Sequence, residues 1–131
     1  MTNLSSAAYG AFASCHSLKS VHLPNCSYLS TDTFREDIGL KQIALPACVS
    51  MGSRIFYKCH NLRKIEFSTT PIIGEYAFRE CITLTDLRLG SSSVCTLLNS
   101  QTFYSTPYAG YSTFFSGTPH IYVPASLISS Y

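Results

Sequence analysis

Tryptophan is absent from this sequence, and so is any long apolar run. The longest apolar stretches last a few residues, far short of the ~20 needed to cross a bilayer as a helix. No charged segment followed by an apolar one opens the chain, so no signal peptide is read there. The last thirty residues hold no Lys, Arg, Asp or Glu. Net charge is only +2 with His neutral, too small an excess to argue for a nucleic-acid partner. Phosphate-cradling and dinucleotide glycine patterns are missing. No Ser or Cys stands in a nucleophile-elbow or protease-like context. Asp37, Glu66 and Asp86 show no spacing specific to general acid–base work. These absences read as a protein that is not an enzyme, with no cofactor, no nucleic-acid partner and no membrane span.

What is present is a period. Phe12, Phe34, Phe56 and Phe78 are each 22 residues from the next, and Phe103 follows after 25. Behind each Phe the same frame returns. It runs Cys15, Leu18, Val21, Leu23 in the first block, and Asp37, Leu40, Ile43, Leu45 in the second. The third block gives Cys59, Leu62, Ile65, Phe67, and the fourth Cys81, Leu84, Leu87, Leu89. A period in the low twenties around L-x-x-L-x-L is the signature of a leucine-rich repeat solenoid. The expected fold is a repeat solenoid of about four to five rungs of 22 residues. It forms a right-handed arc with a parallel β-sheet on the concave face and turns or short helices on the convex face. The chain reads as one domain over 1–131, with a partial repeat at 1–11, four repeats at 12–102 and a divergent C-terminal cap at 103–131.

Ser20–Leu23, Gln42–Leu45 and Lys64–Phe67 alternate polar and apolar residues, as half-buried strands do. Val21, Ile43, Ile65 and Leu87 should face inward, with Leu23, Leu45, Phe67 and Leu89. Pro24 and Pro46 should end their strands, since proline cannot donate to the ladder. A second apolar cluster on the return path holds Leu29, Met51, Ile73 and, after an insertion placed at Ser91–Thr96, Leu98. Gly52 and Gly74 follow it, as a tight turn would want. Phe78–Leu84 and its equivalents read as a short helical or 3₁₀ turn. Near the end, His120–Val123 reads as a last strand with Ile121 and Val123 inward.

Five of the six cysteines fall on two repeat positions, Cys15, Cys59 and Cys81 on one and Cys26 and Cys48 on the other, which argues for buried free thiols rather than a disulfide framework. Cys15-His16 and Cys59-His60 invite a metal, but they lie two rungs apart, roughly 10 Å. That is too far for one tetrahedral zinc, and no metal is assigned.

The phrase A-F-x-x-C-x-x-L-x-x-I-x-L-P, continued by I-G-x-x-A-F, resembles the BspA-type leucine-rich repeats of bacterial surface proteins. Tyr76–Cys81 and Leu40–Pro46 carry it most clearly, and Ile121–Leu127 is similar to the closing motif common in such proteins from gut bacteria. The resemblance implies a secreted or surface-displayed, extracellular protein whose repeats bind other macromolecules. Host matrix proteins or neighbouring cells are the usual proposal. It implies no catalytic residues.

Recognition in a solenoid belongs on outward strand positions. The candidate ligand-binding residues of the concave face are Lys19, His22, Lys41, Gln42, Arg63, Lys64, Glu66, Asp86 and Arg88. Lys19, Lys41 and Arg63 form one basic column. Lys64 with Asp86, and Glu66 with Arg88, stand as opposite-charge neighbours. A second candidate surface is the tyrosine-rich end, with Tyr104, Tyr108 and Tyr111. The expected partner is a protein or a glycan. The alternative is a structural spacer or self-assembly module that docks end to end through its open N-terminal edge.

Overall fold

A computed structural model describes residues 4–69, 71–90, 96–97, 102–104, 106 and 120–122. Within them the chain winds as a parallel β-solenoid with two sheets. One sheet holds the longer strands β2 (Ser20–His22), β4 (Gln42–Leu45), β6 (Lys64–Phe67), β8 (Asp86–Leu89) and β10 (His120–Tyr122). The other holds strands of two residues each: β1 (Ser6–Ala7), β3 (Tyr28–Leu29), β5 (Ser50–Met51), β7 (Ile72–Ile73) and β9 (Thr96–Leu97). All pairings are parallel and in repeat register. Val21 faces Ile43, Ile43 faces Ile65 and Ile65 faces Leu87. The return-path cluster is therefore a second sheet, which the sequence reading had as an apolar cluster alone. Strand β4 stops at Leu45, before Pro46.

The third side of each rung is the phenylalanine turn, and it is hydrogen-bonded between rungs as well. Phe12 N–H donates to Thr33 O (2.8 Å), Phe34 to Ile55 (2.9 Å), Phe56 to Ala77 (2.8 Å) and Phe78 to Thr102 (3.0 Å). The residues two before Phe12, Phe34 and Phe56, and two after these and Phe78, donate in the same direction. Gly10 bonds Thr31 O and Ser14 bonds Arg35 O. Those flanking residues take a left-handed backbone. Gly10, Asp32, Arg54 and Tyr76 form one such column, and Ser14, Glu36, Lys58 and Glu80 the other, with φ between 54° and 61°. Seven of these eight are not glycine. Each costs on the order of 1 kcal/mol, offset by the inter-rung bonds the geometry permits. This explains why the expected short helix does not form. Two left-handed residues four positions apart in each of these turns interrupt right-handed winding, and the described residues contain turns and no helix.

The core is a set of columns. The five Phe rings stack with centroids 5.1, 5.5, 5.6 and 5.2 Å apart. Four such contacts contribute roughly 2–6 kcal/mol beyond area burial. Leu40, Leu62 and Leu84 form a second column, and Leu29, Met51 and Ile73 a third, all buried. Ile73 pairs with Leu97, not Leu98. The 24-residue step from Ile73 to Leu97 and the 25-residue step from Phe78 to Phe103 locate the insertion. Two extra residues precede β9 and one follows it, so the apolar position comes one residue earlier than expected. Gly74 has no left-handed φ. A Cβ there would lie 2.3 Å from the Gly52 carbonyl oxygen, so glycine serves close approach of adjacent rungs rather than a turn.

Cys15, Cys26, Cys48, Cys59 and Cys81 are free thiols, and all but Cys15 are buried. Cys95 and Val123 lie outside the described residues. Cys59 Sγ donates to Phe34 O (3.0 Å) and Cys81 Sγ to Phe56 O (2.9 Å), each one rung back. Burial pushes the Cys48 thiol up to about 12 and raises those of Cys59 and Cys81 well above the ordinary thiol value. Asp37 occupies the same column, fully buried. Its Oδ1 accepts from Gly39 N–H (3.2 Å), while Oδ2 has no hydrogen-bond partner.

Candidate functional site

The outer face of the longer-strand sheet brings most of the candidate residues together. Period two turns Ser20, Gln42, Lys64 and Asp86 outward in one column, in register with one another. His22, Ala44, Glu66 and Arg88 make the next column. Strand β10 extends the sheet, with His120 facing Asp86 and Tyr122 facing Arg88 in the backbone register. Before the strands, Lys19, Lys41, Arg63 and Thr85 align through backbone bonds. Lys41 N–H donates to Lys19 O (2.9 Å), Arg63 to Lys41 O (2.8 Å) and Thr85 to Arg63 O (3.1 Å).

This face is polar and partly organised. Gln42 Nε2 donates to Ser20 Oγ (3.1 Å). Lys64 Nζ meets Glu66 Oε2 at 2.9 Å, along its own strand. The expected cross-strand pair of Lys64 with Asp86 keeps its register, but Lys64 forms its ion pair with Glu66 instead. Thr85 Oγ1 donates to Asp86 Oδ2 (3.3 Å). Residues two apart on one strand share a face, about 6.8 Å apart, and the long side chains of Lys64 and Glu66 span that gap. Ala44 stands between His22 and Glu66 and offers only a methyl group. A half-open depression of about 240 Å³ results, lined by Ser20, His22, Gln42, Ala44, Lys64 and Glu66. Lys19, Lys41 and Arg63 are exposed and, among the described residues, take part in none of the ion pairs.

Tyr104 lies elsewhere, on the turn side, where it is 45% exposed. Tyr108 and Tyr111 lie outside the described residues. The turn side also carries residues that the sequence reading passed over. Arg35, Tyr57 and Arg79 form a column with Tyr104, one position after Phe34, Phe56, Phe78 and Phe103. The Arg35 guanidinium lies 5.9 Å from the Tyr57 ring centroid, and that of Arg79 4.9 Å from Tyr104. Lys58 Nζ lies 5.2 Å from the Tyr57 ring. Arg35 also pairs with Glu36 at 3.0 Å. Beside them, Arg54 grips buried Asp32 with two bonds of 2.9 and 2.8 Å. The 22-residue spacing of Arg35, Tyr57 and Arg79 was a signal that could have revealed this side. The ring faces are occupied by cations of the same chain, which marks the column as self-satisfied. The Cys-His pairs separate likewise: the Cys59 thiol points to a core carbonyl, whereas His16 is exposed and His60 half-buried.

Comparison with family descriptions finds the BspA type leucine-rich repeat region, in six copies, across residues 3–122. Comparison with curated proteins and with solved structures gives no match. Repeats of this family typically act as non-enzymatic protein-interaction scaffolds, and they are surface-associated. Among the described residues no helix is long and apolar enough to cross a membrane. A 22-residue period, two in-register parallel sheets and a match over nearly the whole chain make one case: the chain belongs to the BspA-type leucine-rich repeat family.

Proposed function

We propose that this chain is the non-enzymatic binding module of a secreted or surface-displayed protein. Its work is adhesion-type: it recognises a protein or glycan of a host or neighbouring cell through the outer face of the longer-strand sheet. The observation that carries this reading is the polar depression over Ala44. Side chains from three adjacent rungs line it, with donors, acceptors and both signs of charge. Recognition there needs no movement of the core, because the inward residues of the same strands are buried.

A second reading rests on the N-terminal end. Strands β1 and β2 each stand last in their sheet, and Leu4, Phe12 and Leu18 pack against the core while staying partly exposed. Such an edge suits end-to-end docking of a second copy.

One set of samples tests both. Parent protein and Ala44→Arg, which fills the depression from outside, are assayed against a panel of matrix proteins, cell-surface proteins and neutral glycans, with mass measured by light scattering. The binding reading expects parental affinity for a panel member and at least a tenfold loss in Ala44→Arg at unchanged melting temperature. Equal binding by both proteins removes the depression from the site. A mass that rises with concentration, with no panel member bound, moves the function to the N-terminal edge.

A further inference from the structure

Basic residues in this solenoid are mostly neutralised by their own chain. Arg35, Arg54, Lys64 and Arg79 each meet a carboxylate, and Lys58 rests on the Tyr57 ring. Lys19, Lys41 and Arg63 are different. They occupy one repeat position on consecutive rungs, all are exposed, and their backbones are tied rung to rung. The solenoid thus repeats a cation three times at the rung spacing, roughly 4.8 Å, with no carboxylate against it among the described residues. Like charges in such a row repel modestly.

We propose that Lys19, Lys41 and Arg63 form a linear binding site for an anionic glycan, sulfated or carboxylated, that lies along the solenoid axis. This rests on the reading that the longer-strand sheet is the recognition face, and it names the chemistry of one ligand class. The spacing separates candidate polyanions. An extended acidic peptide presents same-face side chains about 6.8 Å apart, so across three rungs it drifts by about 4 Å from the cations. A polysaccharide with one acidic group on each ring advances by about one rung per sugar and stays in register. The column beside the cations supplies what the sugar hydroxyls need. Ser20 offers a hydroxyl, and Gln42 an amide already aligned on it. Lys64 adds a fourth cation, shared with Glu66.

The test uses a heparin-derived decasaccharide, the same decasaccharide desulfated and re-acetylated, and a polyglutamate peptide of equal charge. Titrations are run at low and high salt against three proteins. They are the parent, the row variant Lys19→Gln/Lys41→Gln/Arg63→Gln, and a turn-side variant Arg35→Gln/Lys58→Gln/Arg79→Gln with the same change in net charge. Circular dichroism checks that each is folded. The expected result is parental binding to the sulfated glycan that weakens with salt, falls roughly tenfold or more in the row variant and is kept by the turn-side variant. Equal losses in the two variants would reduce the site to net charge and overturn the proposal. So would polyglutamate binding as tightly as the glycan, which would make the partner an acidic protein. Absence of binding to every probe would leave a solvated face only. If the matrix panel binds through Ala44 and the sulfated glycan does not, the row fails while the recognition face stands.

Discussion

Asp37 stands where the rungs after it carry cysteine. Cys59 and Cys81 each give a proton to the Phe carbonyl one rung back, and an ionised carboxylate has none to give. Asp37 is fully buried with Oδ2 unpartnered. Burial raises its pKa above the ordinary carboxylate range. Backbone N–H groups of Gly39 and Leu40 oppose that shift, as does the nearby His16. The folded carboxyl therefore holds its proton to higher pH than the unfolded one. This contribution to stability is greatest below the ordinary Asp value, declines as pH rises toward the raised value and is flat above it. Asp37→Cys should remove that decline and raise stability near neutral pH by about 1 kcal/mol or more. Melting temperatures of parent and variant across the acid range check this. Two parallel curves would show that Asp37 keeps a partner for both oxygens.

At the scale of the element, the phenylalanine turn is where sequence and structure part. The Phe period was plain, but the two left-handed positions around it were not. Their columns read Gly10, Asp32, Arg54, Tyr76 and Ser14, Glu36, Lys58, Glu80, and only Gly10 announces its backbone. The inter-rung bonds impose the conformation on whatever residue stands there. Two substitutions at one position isolate this. Lys58→Gly and Lys58→Val both lose the contact with the Tyr57 ring. Glycine relieves the strain at an entropic cost of about 0.5–1 kcal/mol, whereas a β-branched side chain is worst placed at positive φ. Urea unfolding should find the Val variant about 1–2 kcal/mol less stable than the Gly variant. Equal midpoints would mean the turn relaxes. The shorter-strand sheet was hidden for another reason. Two residues are too few to display an alternation, so Leu29, Met51 and Ile73 gave a column without the strands that carry it.

For the whole molecule, regular winding makes position nearly equivalent to environment. Leu84 is fully buried, while Ile82, two residues away, is 39% exposed. Leu84→Asp should cost on the order of 4 kcal/mol by placing a charge in a dry column. Ile82→Asp should stay within about 1 kcal/mol. Thermal melts that rank the two alike would contradict the column assignment. The same regularity made much of the candidate face legible in advance. Once the period was known, Ser20, Gln42, Lys64 and Asp86 had to align, and they do. What stayed hidden depends on side-chain reach rather than register. Lys64 chooses Glu66 over Asp86, and Ala44 opens a depression only because its neighbours are larger.

Registered winding also makes this surface a ruler. Each 22-residue unit lengthens every column by one residue and the molecule by one rung, and needs no new information about folding. A gene that duplicates or loses a unit changes how many outward positions stand in line. Thr85, at the place where Lys19, Lys41 and Arg63 stand in earlier rungs, is where the present row of charges ends. If the row binds as proposed, its reach and avidity are inherited as a count of rungs.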